Sequence, residues 1–172
     1  MVVVPEEHVE ATQKLTDAVA ACIVTAGGAT RRASVARGLD RIGDAARVVV
    51  HDAARPFLTE ALLRRVVDAL DEHEAAIAAE PVEETLKTVE GDTVVETIDR
   101  ARVWRAQTPQ AFRTETLRRA HAGARGSAAT DDAQLVELSG GTVAVVRGDR
   151  RNIKVTFEDD FAIAESLAAA AR

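Results

Sequence analysis

The sequence has little that would crosslink the chain or carry it into a membrane. One cysteine, Cys22, occurs in 172 residues, which excludes an internal disulfide and a cysteine-based metal site. Cys22 lies in an apolar run, so we expect a buried, unreactive thiol. The longest apolar runs are far shorter than the ~20 residues that span a bilayer. The first residues, MVVVPEEHVE, lack the basic and small-residue features of a secretory signal, which predicts a cytoplasmic protein with no membrane association.

Lysine is also scarce, and acidic residues outnumber basic ones, 28 to 22. The formal net charge is -6, and lysine occurs only at Lys14, Lys87 and Lys154. A nucleic-acid surface normally needs an excess of Lys and Arg on one face, so nucleic acid is an unfavourable partner. Hydrophobic residues make up 47% of the chain and charged residues 29%, which predicts a single globular domain over residues 1–172.

Strand and helix patterns alternate along most of the chain. Thr59 and Thr130 are expected to cap helices, because a side-chain oxygen can accept hydrogen bonds from free N–H groups of the first turn. The alternation predicts an α/β fold with a doubly wound, mostly parallel sheet. Strands are predicted at 2–5, 21–28, 46–50, 75–82 and 142–149. Helices are predicted at 6–19, 29–42, 59–73, 114–124, 130–141 and 157–171, with a loop at 123–129.

The middle of the chain breaks this rhythm. Residues 84–99 alternate at period two on either side of Glu90-Gly91-Asp92, which predicts a β-hairpin with Gly91 in the left-handed conformation. No helical pattern follows either strand, so residues 82–108 are predicted to form a projecting arm. In the next segment, WRAQTPQAF, we expect Pro109 to break any strand because proline has no N–H to donate.

Polar groups follow the third predicted strand in the stretch RVVVHDAARPF. Carboxyl ends of parallel strands are where α/β sheets bind ligands, so Asp52 and Arg55 are candidates for Mg²⁺ and phosphate or carboxylate binding. An equal alternative is that they cap the turn and pair with each other. Two interpretations are also open for the Gly27-Gly28 turn, which either lets the backbone approach a ligand or is a simple tight turn. Lys154 likewise either binds a phosphate or is a surface lysine.

Five linked motifs resemble the 2-C-methyl-D-erythritol 4-phosphate cytidylyltransferase family. Their order and spacing cover essentially the whole chain, which makes the combination far more specific than any one motif. They are AGGATRRASVARGL, VHDAARPF, AQTPQAF, TDDAQLVE and GDRRNIKVTFEDD.

The resemblance implies a Rossmann-like nucleotidyltransferase fold and transfer of a cytidylyl group from CTP to 2-C-methyl-D-erythritol 4-phosphate, with Mg²⁺ among the triphosphate oxygens. In the family pattern, Asp52 serves the metal and the phosphates, and Arg55 faces the erythritol substrate. Lys154 would neutralise charge on the α-phosphate. Since this chemistry needs no side-chain nucleophile, His51 is expected to structure its loop.

The resemblance also implies nucleotide and partner contacts. The cytosine would be recognised by Gly28, Ala29 and Ser34. The arm would cross into a second copy of the chain, giving a homodimer. The methylerythritol phosphate would be held, partly across that interface, by Thr85, Arg100 and Thr108.

One family segment has no counterpart in this sequence. Members of the family begin with a strand, a loop of the type AAGxGxR and a PK motif, which cradle the CTP triphosphate, whereas Met1 here is followed at once by the family's second strand. Two hypotheses follow. The sequence is that of an active cytidylyltransferase shortened by a misplaced start codon or lacking its first segment, or it is that of a catalytically inactive nucleotide-binding or dimerising homologue. We expect residues 1–172 alone to show weak activity or none.

Overall fold

The computed structural model describes residues 1–123 and 129–170. Most of the predicted loop at 123–129 and the last residue of the final predicted helix therefore lie outside the described residues. Within those residues the strands are β1 (Val2–Val4), β2 (Val24–Ala26), β3 (Arg47–Val50), β4 (Ala75–Pro81), β5 (Leu86–Glu90), β6 (Thr93–Ile98), β7 (Trp104–Arg113) and β8 (Ala144–Arg147). The α-helices are α1 (Val9–Asp17), α2 (Arg31–Leu39), α3 (Glu60–Asp68), α4 (Thr114–Gly123), α5 (Asp132–Leu138) and α6 (Asp159–Ala169).

The chain divides into two compact units. The first comprises Met1–Val48 and Phe112–Thr142, and the second comprises Val49–Ala111 with the residues from Val143 onward. In the first unit, β1 and β2 pair in parallel. Leu39 from α2, Leu117 from α4 and Leu135 from α5 are almost completely buried there. Burying an aliphatic side chain of this size contributes about 2 kcal/mol, so these helices have a genuine apolar core.

The second unit is built on a four-stranded sheet with the order β3-β7-β4-β8. Strands β4 and β8 are parallel, with Ala76 opposite Ala144. Helix α3 begins after Thr59, whose hydroxyl accepts a hydrogen bond from Leu62 N at 3.2 Å, as the capping pattern predicts. Its buried face, Leu62 and Val66, packs in one cluster with Ala76 and Ala111 of the sheet. The spacing of four residues places Leu62 and Val66 on the same face of α3, and this apolar face packs against one face of the sheet.

The strand predicted at 75–82 is confirmed as β4, which is seven residues long with all but two of them buried. The structure contradicts the expected break at Pro109, because β7 runs through it from Trp104 to Arg113 and residues 107–112 are all buried. Neighbouring strands on both sides hold β7 in the sheet, so packing outweighs the single donor that proline lacks.

The hairpin prediction is confirmed. β5 and β6 pair antiparallel, and Gly91 in the connecting turn has a φ of +56°, the left-handed region that glycine enters without steric cost. Most hairpin side chains are exposed, including the large apolar Val89, Val94 and Val95.

The thiol prediction is wrong in degree. Cys22 is partly exposed, because β2 begins only at Val24 and not at the predicted residue 21. As for the membrane, none of the helices within 1–123 and 129–170 has the length and apolarity required to cross one.

Candidate active site

The loop after β3 is organised by hydrogen bonds to β7. Thr108 Oγ1 accepts from Asp52 N at 2.9 Å and lies 3.1 Å from His51 Nδ1. The other ring nitrogen, His51 Nε2, lies 3.0 Å from Arg55 O. If the threonine hydroxyl donates its single proton to Nδ1, Nε2 carries the ring proton and donates to the carbonyl of Arg55. One ring nitrogen then ties the loop to β7 and the other bonds within the loop, as expected for a histidine that structures its loop.

Asp52 forms an ion pair with Lys154. The distance from Lys154 Nζ to Asp52 Oδ2 is 3.2 Å; the aspartate side chain is 18% exposed and the lysine side chain 48% exposed. The two segments are also joined through the backbone, since Val155 N donates to Ala54 O at 2.8 Å. A carboxylate and an ammonium group therefore lie side by side at a partly open surface beyond the end of β3, where both remain reachable by a ligand.

Arg55 lies in the same loop but bonds differently. Its Nη1 donates to Asn152 O at 2.7 Å. Burial lowers the pKa of the Arg55 guanidinium, and Asp52 partly offsets that effect, so the group stays charged at neutral pH. Arg55 Nε is buried without a hydrogen-bond partner among the described residues. A buried donor left unpaired is unfavourable, so an oxygen-bearing ligand reaching Nε would relieve that cost.

Two further residues, Gln107 and Asn152, connect these segments, and sequence reasoning gave them no role. Asn152 is completely buried, and its Nδ2 donates to Thr108 O at 2.8 Å and to Gln107 Oε1 at 3.3 Å. Gln107 Nε2 donates to Asp149 O at 3.0 Å. The only sequence signal for them was their position inside the AQTPQAF and NIKVT motifs. Together they fix the segment that carries Lys154 against β7.

The predicted cytosine-binding residues lie in the first unit. Gly28 N donates to Ser34 Oγ at 3.1 Å, and the same hydroxyl donates to Thr30 O at 3.1 Å, while Ala29 is exposed. A Cβ on Gly28 would lie 2.4 Å from Ala33 Cβ, so glycine allows the turn to approach α2 closely. Gly28 and Ser34 therefore form one hydrogen-bonded segment at the start of α2.

Thr85 and Arg100, the predicted substrate-binding residues of the arm, are not part of the hydrogen-bond network around Asp52 and Thr108. Thr85 precedes β5, and Arg100 begins a single helical turn after β6. Both are exposed, and neither side chain has a hydrogen bond or ion pair with another described residue. The structure thus brings Asp52, Arg55, Thr108 and Lys154 together in the second unit, while the roles assigned to Thr85 and Arg100 stay predictions.

Metal binding at this site would depend on few protein ligands. The described part of the chain contains no group of three or more His, Cys, Asp or Glu residues placed to hold a metal ion. Asp52 supplies a partly exposed carboxylate oxygen beside Lys154. A hard cation that keeps most of its coordination for water and phosphate oxygens fits such a donor set.

Comparisons with known proteins point to a single family. The family model described as 2-C-methyl-D-erythritol 4-phosphate cytidylyltransferase matches residues 1–169. The enzyme of that name from Bacillus licheniformis is 46% identical over 143 residues, covering 82% of this chain and 62% of the relative. The relative from Carboxydothermus hydrogenoformans is 42% identical over 170 residues, covering 95% of this chain and 73% of the relative. This chain thus spans less than two thirds of the Bacillus licheniformis enzyme.

A solved structure of the same family extends this match to the fold. The crystal structure of the 2-C-methyl-D-erythritol 4-phosphate cytidylyltransferase from Thermus thermophilus superposes with a TM-score of 0.81 at 43% identity, covering 86% of this chain and 74% of that one. The α/β fold class with a mostly parallel sheet, of the Rossmann-like nucleotidyltransferase type, is thereby confirmed.

Proposed function

The chain belongs to the 2-C-methyl-D-erythritol 4-phosphate cytidylyltransferase family, and we propose that it carries the transfer site of such an enzyme. The reaction joins CTP and 2-C-methyl-D-erythritol 4-phosphate into 4-diphosphocytidyl-2-C-methyl-D-erythritol and pyrophosphate, a step of non-mevalonate isoprenoid biosynthesis. A cytoplasmic location, where CTP is available, is part of the proposal. The close identity to named enzymes favours this function over an inactive binding or dimerising homologue.

The observation that carries the proposal is the Asp52–Lys154 pair beside Arg55 and Thr108. Its two charged groups lie 3.2 Å apart at the carboxyl end of β3, and both are partly exposed. A turn cap would bond within its own loop, whereas Lys154 pairs with Asp52 from a segment about a hundred residues further along the chain. Positive groups held beside a carboxylate suit a reaction between two phosphates.

The reaction requires that the negative charge of the two phosphate groups be neutralised and that the two groups be aligned. A phosphate oxygen of methylerythritol phosphate attacks the α-phosphorus of CTP, the bond from that phosphorus to the oxygen bridging to the β-phosphate breaks, and pyrophosphate leaves with the electron pair. We assign Lys154 to the α-phosphate, where charge builds up as the new bond forms. Arg55, preorganised by its bond to Asn152 O, is assigned to the phosphate of the erythritol substrate.

We assign Mg²⁺ to the carboxylate of Asp52. Magnesium commonly binds through one or two carboxylates together with substrate phosphates, and Asp52 supplies one such carboxylate. When bound, the ion would neutralise phosphate charge. The hydrogen bond from Asp52 N to Thr108 Oγ1 holds the aspartate's backbone in place for that role.

Substrate recognition is divided over the rest of the chain in this proposal. Gly28, Ala29 and Ser34 would recognise the cytosine. Thr85, Arg100 and Thr108 would hold the methylerythritol phosphate. Because Thr85 and Arg100 are exposed and bonded to no described side chain, we assign them to the site of a second copy, with the 82–108 arm forming a homodimer.

Pyrophosphate release tests the proposed function. The protein that contains this chain is incubated with CTP, Mg²⁺ and methylerythritol phosphate, and release is expected only when all three are present. Calorimetric titration with CTP and with methylerythritol phosphate is run in parallel. Binding of either substrate without pyrophosphate above background would establish the inactive homologue instead.

Mixed dimers test the role of the arm. Arg100→Ala and Asp52→Ala proteins are each expected to be nearly inactive. Co-refolded together, they should recover about a quarter of the wild-type rate, since half of randomly assorted dimers are hybrids with one complete site each. No recovery, with dimers verified by light scattering, would place Arg100 in the site of its own chain.

A further inference from the structure

Asp132 is a buried carboxylate that the proposed reaction does not use. It is the first residue of α5, comes from the TDDAQLVE motif, and is 1% exposed. Arg31 Nη1 lies 2.7 Å from its Oδ2, and His121 Nε2 lies 2.9 Å from its Oδ1. A buried charge of this kind is tolerated only when it is paired and hydrogen-bonded. Each oxygen has a separate partner here, so the carboxylate joins α5 to both α2 and α4.

The Arg31 contact reaches the start of α2. Arg31 is the first residue of that helix, and Thr30 before it caps the helix by accepting from Ala33 N at 3.1 Å. Within the first turn, Ser34 bonds back to Gly28. The ion pair with Asp132 therefore holds the same turn that carries the Gly28–Ser34 segment. All of these residues belong to the first unit.

The neighbouring aspartate, Asp131, has a different structural role. The sequence pattern predicts Thr130 as the cap of α5, but α5 begins one residue later, and Asp131 Oδ1 caps it by accepting from Gln134 N at 2.8 Å. Since the cap is provided by Asp131, burial of the next carboxylate is not explained by the helix end. The bond that Asp132 makes sideways to Arg31 spans 101 positions of sequence. Such a link couples α5 to the turn after Gly28.

We propose that Asp132 is a positioning residue for nucleotide binding, acting through Arg31 to hold the Gly28–Ser34 segment in its binding conformation. This inference rests on the proposed function, because it takes that segment as the cytosine contact. Removing the charge of Asp132 takes this carboxylate away from the guanidinium of Arg31 and frees the first turn of α2 to shift. Affinity for CTP then falls, while affinity for methylerythritol phosphate is unchanged.

The helix offers a matched control at its other end. Arg118 from α4 donates to Leu39 O at 3.1 Å and to Gly43 O at 2.7 Å, and Leu39 is the last residue of α2. Arg118→Gln thus removes a link to the same helix far from Gly28. Asp132→Asn keeps the shape of the side chain and removes its charge. Arg31→Gln removes the other half of the ion pair.

Calorimetric titration with CTP and amide NMR, both on the protein that contains this chain, test the inference. Asp132→Asn and Arg31→Gln are each expected to weaken CTP binding about tenfold, in the usual range of coupling between a binding site and a distant residue. Their combination should add little, since both remove one interaction. Arg118→Gln should bind CTP as the wild type does. The Gly28 amide resonance should move in the first two variants and stay in place in Arg118→Gln.

The outcomes distinguish failure of the positioning role from failure of the proposed function. Wild-type CTP affinity in a folded Asp132→Asn protein would overturn the positioning role. So would additive losses in the double variant, which would make Arg31 a direct nucleotide contact. If Asp132→Asn does not fold, Arg31→Gln against Arg118→Gln decides the same question. A wild type that binds no CTP would instead refute the proposed function, and the inference with it.

Discussion

Replacing Lys154 with methionine is expected to lower kcat about 100-fold to 1,000-fold, the usual cost of removing one group that stabilises transition-state charge. The ammonium group lies 3.2 Å from the Asp52 carboxylate and the lysine side chain is about half exposed, so the ammonium group can turn from its carboxylate partner to a phosphate. Methionine keeps the length and most of the volume of the side chain while removing the charge. Since Lys154 stabilises mainly the transition state in this proposal, KM for CTP should change far less than kcat.

Lys14→Met is the matched control. Lys14 is also a lysine paired with a carboxylate, with its Nζ 2.6 Å from Glu10 Oε1, but it is 74% exposed on the surface helix α1. Exposed pairs of this kind contribute little to stability, so kcat and Tm should match the wild type. Steady-state kinetics by pyrophosphate release, with Tm by calorimetry, measure both variants. A kcat for Lys154→Met within threefold of the Lys14→Met value would remove Lys154 from the chemistry.

Asn152→Asp is expected to reduce the free energy of unfolding by about 2–4 kcal/mol, because it leaves buried acceptors without their donor and buries a carboxylate against them. Asn152 is completely buried, and its Nδ2 donates to Thr108 O and Gln107 Oε1. A carboxylate there would face two oxygen atoms with no proton to share. Activity should fall as well, because Asn152 fixes the segment that leads to Lys154 and accepts from Arg55 through its backbone.

Gln134→Glu provides the comparison for that change. Gln134 Oε1 accepts from Thr130 N at 2.7 Å, so an amide-to-carboxylate change there keeps the acceptor that forms the bond. Urea unfolding followed by circular dichroism should show a loss below about 1 kcal/mol for this variant. Lowering the pH should reduce the loss in the free energy of unfolding for Asn152→Asp but not for Gln134→Glu, since a protonated acid at position 152 can donate to Thr108 O. Equal stability of the two variants would show that the Asn152 network contributes nothing to the fold.

Local patterns predicted the positions of most elements. The hairpin centred on Gly91 and the Thr59 cap of α3 depend on residues that are neighbours in the chain, and both appear as predicted. The motif after β3 likewise pointed to Asp52 and Arg55, because a strand end is a local signal. Pro109 shows the limit of that reasoning. Its local effect is to remove a donor, yet β7 continues through it because strands lie on both sides.

The two side chains with the clearest structural roles gave almost no local signal. Asn152 bonds to residues 44 and 45 positions away, and Asp132 reaches Arg31 across 101 positions. Neither residue shows a periodicity or a turn preference that predicts these partners. Burial is what makes the contacts matter, since an unpaired polar group inside the protein costs far more than one in water.

The sequence by itself determined the alternation of strands and helices, the hairpin, the α/β class and the family. The periodicity of hydrophobic residues, the turn residues and the order of the linked motifs can all be identified from the sequence alone. Only the tertiary structure decided that Thr108 holds Asp52 and His51 and that Lys154 pairs with Asp52. It also decided that the buried amide of Asn152 bonds to Thr108 and Gln107, and that the buried carboxylate of Asp132 pairs with Arg31. Those contacts join residues that are distant in sequence, and their energies come from burial and geometry, which exist only in the folded chain.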